Sequence, residues 1–161
     1  MTLIVDGTAG ITFPSGSGTQ AAQSKVLQMV NATYATQTSN TTTTYADTGL
    51  TATITPLFST SKILVQANLP SRASSGSVYG IAFQLVRNGT GVFSPMSNVF
   101  YRDTATNNMS ALVPVLYLDS PASTSALTYK IQFKIGGGGT GNVLTQIDND
   151  TSYIVLTEIA Q

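Results

Sequence analysis

Leu127-Thr128-Tyr129-Lys130-Ile131-Gln132-Phe133-Lys134-Ile135 carries apolar side chains at its five odd-numbered positions and polar ones at its four even-numbered positions. Side chains of an extended strand alternate between two faces, so this segment buries one face and wets the other. A helix would scatter the same residues around its axis. The segment is a half-buried strand, and the rest of the chain reads in the same way.

Residues 50–55 alternate and then meet Pro56. Residues 62–68 are β-branched and nearly all apolar at their centre, as in a strand covered on both faces. Residues 78–87 place Tyr79, Ile81, Phe83 and Leu85 on one side and the smaller Val78, Gly80, Ala82 and Gln84 on the other. That small face is expected to lie close against another surface. Residues 111–118 contain Pro114, which cannot donate to a ladder and marks an edge or bulge. Residues 142–147 read as a short strand. Residues 151–160 set Tyr153, Val155 and Thr157 opposite Ile154, Leu156 and Glu158. Helical periodicity is confined to residues 20–29, which run into the strand-like Val30-Asn31-Ala32-Thr33-Tyr34; a strand with a possible helical turn before it is expected there.

Turn chemistry falls between these runs. Asn88-Gly89 is the strongest short hairpin signal. Gly136 to Gly139 read as a flexible hairpin tip, and Asp148-Asn149-Asp150 as a turn whose Asx side chains cap the backbone. Residues 36–48 are a polar loop or edge strand. About eight short strands at this spacing indicate an antiparallel sandwich or barrel. The first residues differ in texture. Ile11-Thr12-Phe13 is a small apolar island followed by Pro14-Ser15-Gly16-Ser17-Gly18, too short to own a core. The expected organisation is an extended arm over residues 1–24, anchored on another protein through Ile4, Ile11, Phe13 and Pro14, and a β-sandwich over residues 25–161.

The chain has 161 residues, 7 Lys+Arg, 7 Asp+Glu and no His, Cys or Trp. Only 9% of residues are charged, against roughly 25% in typical domains. Hydroxyls fill the gap, with 25 Thr and 17 Ser. Without His or Cys there is no Ser-His-Asp triad, no Cys-His pair, no zinc site and no disulfide framework. Zero net charge lacks the basic footprint of a nucleic-acid binder. The N-terminus has no basic region before its three-residue apolar run, and no apolar run approaches the roughly 20 residues that span a bilayer. Neither a signal peptide nor membrane insertion is expected. No catalytic residue, cofactor or resident metal is expected.

Weaker chemical readings remain. Asp148 and Asp150 could offer oxygen ligands to a hard cation, though the Gly and Glu of an EF-hand loop are missing. Asp47, Asp103, Asp119 and Glu158 are the carboxylates available for a glycosidase pair. Tyr79, Phe100, Tyr101 and Arg102 are candidate surface contacts, because aromatics and Arg bind at low entropic cost; Tyr79 also reads as core. Asn88, at the tip of its hairpin, is a further candidate.

Gly10-Ile11-Thr12-Phe13-Pro14-Ser15-Gly16 followed by Thr19-Gln20 resembles an N-terminal element of tailed-bacteriophage fibre proteins, with Ser15 where Asp is usual and Ser17-Gly18 added. Ile54-Thr55-Pro56, Ser61-Lys62-Ile63-Leu64-Val65, Phe83-Gln84-Leu85-Val86-Arg87, Tyr117-Leu118-Asp119-Ser120-Pro121 and Leu156-Thr157-Glu158-Ile159 are similar to a small β-domain of phages, cyanophages among them. The order of these motifs, rather than any one, carries the resemblance. It implies a virion protein made in the host cytoplasm: a homotrimer with an antiparallel, jelly-roll-like β-sandwich. Two placements follow. One is a fibre or appendage knob that attaches the particle to a host-surface glycan. The other is a capsid decoration (cement) protein whose arm, residues 1–24, holds other virion proteins and stabilises the head. Thr-rich strands with few charges suit three identical copies, since a like charge near a three-fold axis meets two copies of itself.

Overall fold

The alternation that starts at Leu127 is realised as the second strand of a four-stranded sheet. The computed structural model describes residues 4–6, 10–12, 25–74, 80–95, 97–100, 108–137 and 139–161. Among these the strands are β1 (Ile4–Asp6), β2 (Gly10–Thr12), β3 (Val26–Tyr34), β4 (Thr38–Asn40), β5 (Ala46–Ile54), β6 (Lys62–Ala73), β7 (Ile81–Arg87), β8 (Thr90–Phe93), β9 (Met109–Asp119), β10 (Leu127–Ile135), β11 (Val143–Thr145) and β12 (Ser152–Ile159). β1 and β2 pair only with each other among the described strands, Ile4 opposite Thr12.

One sheet runs β5-β10-β7-β8. The other runs β3-β12-β6-β9. On β6, β9 pairs along Ile63 to Ala73, while β12 and then the short β11 share the opposite side. β4 extends the sheet beyond β11. With β3, β5, β6, β7, β8, β9, β10 and β12 counted as first to eighth, the two sheets read 1-8-3-6 and 2-7-4-5. First pairs with eighth, second with seventh, third with sixth and fourth with fifth, all antiparallel. This nested pairing is a jelly roll. Its innermost reversal is Asn88-Gly89, where Arg87 faces Thr90 and φ is 48° and 85°. Both residues are left-handed, as a two-residue hairpin matching strand twist requires.

The core lies between the sheets. Phe83, Leu85, Tyr129, Ile131 and Phe133 from one side and Ile63, Val65, Leu69, Ile154 and Leu156 from the other join one buried cluster. On β10 every odd position is buried and every even one half-buried or exposed. Phe93 on β8 stacks on Tyr117 on β9 with centroids 4.7 Å apart, joining one edge strand of each sheet. Pro114 lies on β9, whose sole partner among the described strands is β6, the edge position its missing donor demands.

Several expectations change. Residues 62–68 belong to a longer strand that is buried on one face only: Ile63, Val65 and Ala67 point inward while Gln66 is exposed. The glycine run after β10 is not a hairpin tip, because β10 and β11 lie in different sheets. It carries the chain across the sandwich. The strand predicted over 142–147 is shorter, since Ile147 enters a 3-10 turn after Gln146 adopts left-handed φ. On the small face expected for residues 78–87, Gly80 and Ala82 are buried and not open to a second molecule, and Val78 lies outside the described residues. Ile81 exchanges two 2.8 Å backbone bonds with Val99, and Ala82 is buried. A Cβ on Gly80 would sit 2.8 Å from the Val99 carbonyl and one on Gly136 2.3 Å from the Ser97 carbonyl. The chain's own segment 97–99 fills that space. The helical periodicity of residues 20–29 is not realised from Val26 onward, where β3 begins; Tyr79 and residues 20–24 lie outside the described residues.

Replacing Phe133, fully buried at the sandwich centre, tests this packing. Phe133→Ala is expected to cost about 3–5 kcal/mol, whereas Thr128→Ala, on the wet face of the same strand, stays within about 0.5–1 kcal/mol. Urea unfolding of the two variants measures the difference.

Candidate functional site

The sandwich has two outer faces, and they differ in kind. On the β5-β10-β7-β8 sheet the outward positions of β5 and β10 are mostly polar and bonded to one another, and Ala82 and Val86 on β7 are buried. Thr53 and Thr128 share a hydroxyl bond of 2.9 Å, and the Thr51 hydroxyl donates to the Tyr129 carbonyl at 3.1 Å. Asp47 takes Lys130 Nζ at 2.8 Å and Gln132 Nε2 at 2.7 Å. Burial alone would raise the Asp47 pKa, but these donors and the Lys130 charge outweigh it and hold the carboxyl below its usual range. Lys134 lies over the Tyr45 ring at 4.5 Å.

The outer face of the β3-β12-β6-β9 sheet is apolar on its β9 side, where Leu112, Leu116 and Leu118 are exposed. Register sets its side chains in rows across four strands: Met29-Thr157-Leu64-Leu118, then Asn31-Val155-Gln66-Leu116, then Thr33-Tyr153-Asn68-Pro114, then Pro70-Leu112. Leu116 is 62% exposed, Leu112 56% and Met29 64%. Tyr153 lies flat enough for its hydroxyl to accept from Asn68 Nδ2. Charge sits at the ends of β6, on Lys62 and Arg72; Arg72 donates to Ser110 Oγ and to Asp148 Oδ2. A contiguous apolar face of this kind marks an interaction surface. The sequence offered a signal for it: once Pro114 is set aside, all six remaining residues of 112–118 are apolar, at odd and even positions alike, as in a strand covered on both faces.

The two ends of the sandwich also differ. Lys25, where the sandwich begins, accepts a bond from Ala160 N. The loop between β5 and β6, the Asn88-Gly89 turn and the segment after Asp119 lie at this same end. At the opposite end lie the connections that leave Tyr34, Ala73, Phe93 and Ile135. Phe100 is here, half-buried, with φ 64° and packed against the core. Asn88 is at the other end, and its side chain is engaged: Oδ1 accepts from Thr128 N at 2.8 Å. The structure therefore separates Asn88 from Phe100. Phe13, Pro14, Tyr101, Arg102 and Asp103 lie outside the described residues, as do the side chains of Ile4 and Ile11.

The carboxylates considered for chemistry have structural partners. Glu158 and Asp119 flank Ile63 in one inward row, two strands or about 10 Å apart. Glu158, fully buried, accepts from Gln28 Nε2 at 2.6 Å, Leu57 N at 2.8 Å and Phe58 N at 3.3 Å. Burial opposes its ionisation, yet these donors prevail and hold its carboxyl below the usual range. The anchored loop presents Leu57 and Phe58 to solvent, more than half exposed. Asp119 Oδ2 accepts from Tyr129 Oη at 2.6 Å and from Arg87 Nη1. Burial first, and then the Asp119 bond and charge, push the Tyr129 hydroxyl far above its usual range. Asp148 faces Arg72, and its N–H donates to Gln37 Oε1 at 3.0 Å. Among the described residues no three Asp, Glu, His or Cys group as metal ligands, and no helix is long and apolar enough to cross a membrane.

No family model and no curated protein matches this chain. Among solved structures it is similar to VP2 of infectious bursal disease virus in a subviral particle, with 14% identity and a TM-score of 0.41 over 83% of this chain and 38% of that one. Particles derived from the same virus give 14% identity and 0.41 over 83% and 36%. Latent dimeric PorU from Porphyromonas gingivalis gives 13% identity and 0.32 over 79% and 13%. The chain spans well under half the length of the solved chains it matches.

Glu158→Gln keeps the shape of the buried row and removes its charge. The ionised Glu158 contribution is complete above the pKa of an unfolded glutamate, about 4.3, and is lost as pH falls through the lower folded value. The variant is expected to lose about 2 kcal/mol at pH 7 and to converge on the wild type as the pH is lowered below the unfolded value and through the folded one. Denaturant midpoints of both proteins across that range check the sign.

Proposed function

We propose that this chain is a virion structural protein, the homotrimeric knob of a fibre or appendage that attaches the particle to a host surface. The observation that carries the reading is the layout of the jelly roll. The N-terminal stretch joins at one end, through Lys25, and the connections around Phe100 lie at the other. An anchor at one pole and presented loops at the opposite pole suit a particle-bound adhesive domain. The motif order from Gly10 to Ile159 supports the tailed-phage assignment. The low charge supports assembly from identical copies, and the structural use of Asp47, Asp119, Asp148 and Glu158 leaves a building role as the simplest reading. On this reading residues 1–24 hold the virion partner, and Tyr101 and Arg102 meet a surface glycan.

Two measurements on the purified virion test it. A copy number of at most a few tens per particle is expected; hundreds of copies overturn the knob and favour capsid decoration. A protein lacking residues 2–20 is expected to keep its β-rich circular dichroism and lose incorporation into particles. Incorporation at the wild-type level refutes the arm as anchor.

A further inference from the structure

We infer that the outer face of the β3-β12-β6-β9 sheet is the surface through which copies of this chain associate. The inference rests on the proposed assembly of identical copies and says which surface they bury. Both faces of the sandwich are available in principle, and the structure distinguishes them. The polar face needs no partner, because on β5 and β10 Thr51, Thr53, Thr128, Asp47 and Lys130 are bonded within the chain and on β7 Ala82 and Val86 are already buried. The other leaves Met29, Leu112, Leu116 and Leu118 more than two-fifths exposed in one patch, in register across four strands.

The occupant follows from charge and size. The four rows hold no charged residue, so identical copies turned about a symmetry axis meet no like charge. A nucleic acid or an anionic lipid surface would need cations there, and a glycan would need a dense set of polar groups, whereas the β6-β9 half of the face sets only Gln66 and Asn68 among Leu64, Pro70, Leu112, Pro114, Leu116 and Leu118. Four strands about 4.8 Å apart, followed for the seven residues from Leu112 to Leu118 that the rows span, mark out roughly 450 Å² in plan, more than half of the ~800 Å² each partner buries in a standard interface. Pairing goes through the face rather than by adding strands at the β9 edge, where Pro114 lacks an N–H for a continuing ladder.

Light scattering on the full chain, Leu116→Lys and Thr128→Lys tests the assignment. The wild type and Thr128→Lys are expected at the same multiple of 16.8 kDa at micromolar concentration, and Leu116→Lys at the monomer mass with unchanged circular dichroism. Assembly of Leu116→Lys like the wild type, or disassembly of Thr128→Lys alone, overturns the face while leaving the virion reading standing. A monomeric wild type overturns self-association itself, and the virion copy number then decides the functional reading separately. Because the chain has no cysteine, Leu116→Cys gives a second readout should the lysine variant misfold. Its maleimide labelling is expected to be at least tenfold slower than that of Thr128→Cys, and equal rates refute the inference.

Discussion

Everything in this molecule hangs on one reversal. Asn88 and Gly89 turn the chain back on itself, and each later strand then pairs with an earlier one in reverse order, out to β12 against β3. A ribbon folded this way is too long and too apolar on one face to stay flat. It wraps around Phe83, Tyr129 and Phe133 and closes into two sheets. The Asn-Gly pair reaches positive φ at both positions at low cost, which explains why this turn can sit at the centre of the nest. The Asn88 side chain and backbone both bond Thr128, so the first hairpin is also tied to β10, the strand that joins β7 to β5.

Wrapping leaves two problems, and buried polar groups solve both. The sandwich must be closed at the end where Lys25 enters, and its sheets must be held at their edges. Glu158 gathers Gln28 and the backbone of Leu57 and Phe58 into one row. Asp119 takes Arg87 and Tyr129, linking β9 to the facing sheet. A buried carboxylate with several donors specifies geometry, since removing one partner leaves an unpaired charge inside. These residues look like chemistry in a sequence and act as fasteners in the fold.

The asymmetry of the outer faces carries the functional argument. A protein made to stand alone would wet both sheets. Here one sheet is laced with Thr hydroxyls and ion pairs while the other shows Leu112, Leu116 and Leu118 to solvent. That surface has a natural use in an assembly. The close approach expected from the small side chains of β7 is met inside the chain, where Gly80 lies against Asn98 and Val99.

The sequence by itself determined the strands and most of their inward faces. Alternation on β10 and β12 is local, and a side chain's face follows from its parity alone. The edge position of β9 followed from Pro114, and the hairpin from Asn88-Gly89. Only the tertiary structure decided which sheet each strand joins, that the glycine run at 136–139 crosses between sheets, that Glu158 and Asp119 close one end, and that Phe100 and Asn88 stand at opposite poles. These depend on pairings between residues up to 135 positions apart, such as Lys25 with Ala160. No local preference encodes a partner at that distance; it emerges when the whole nest closes on one core.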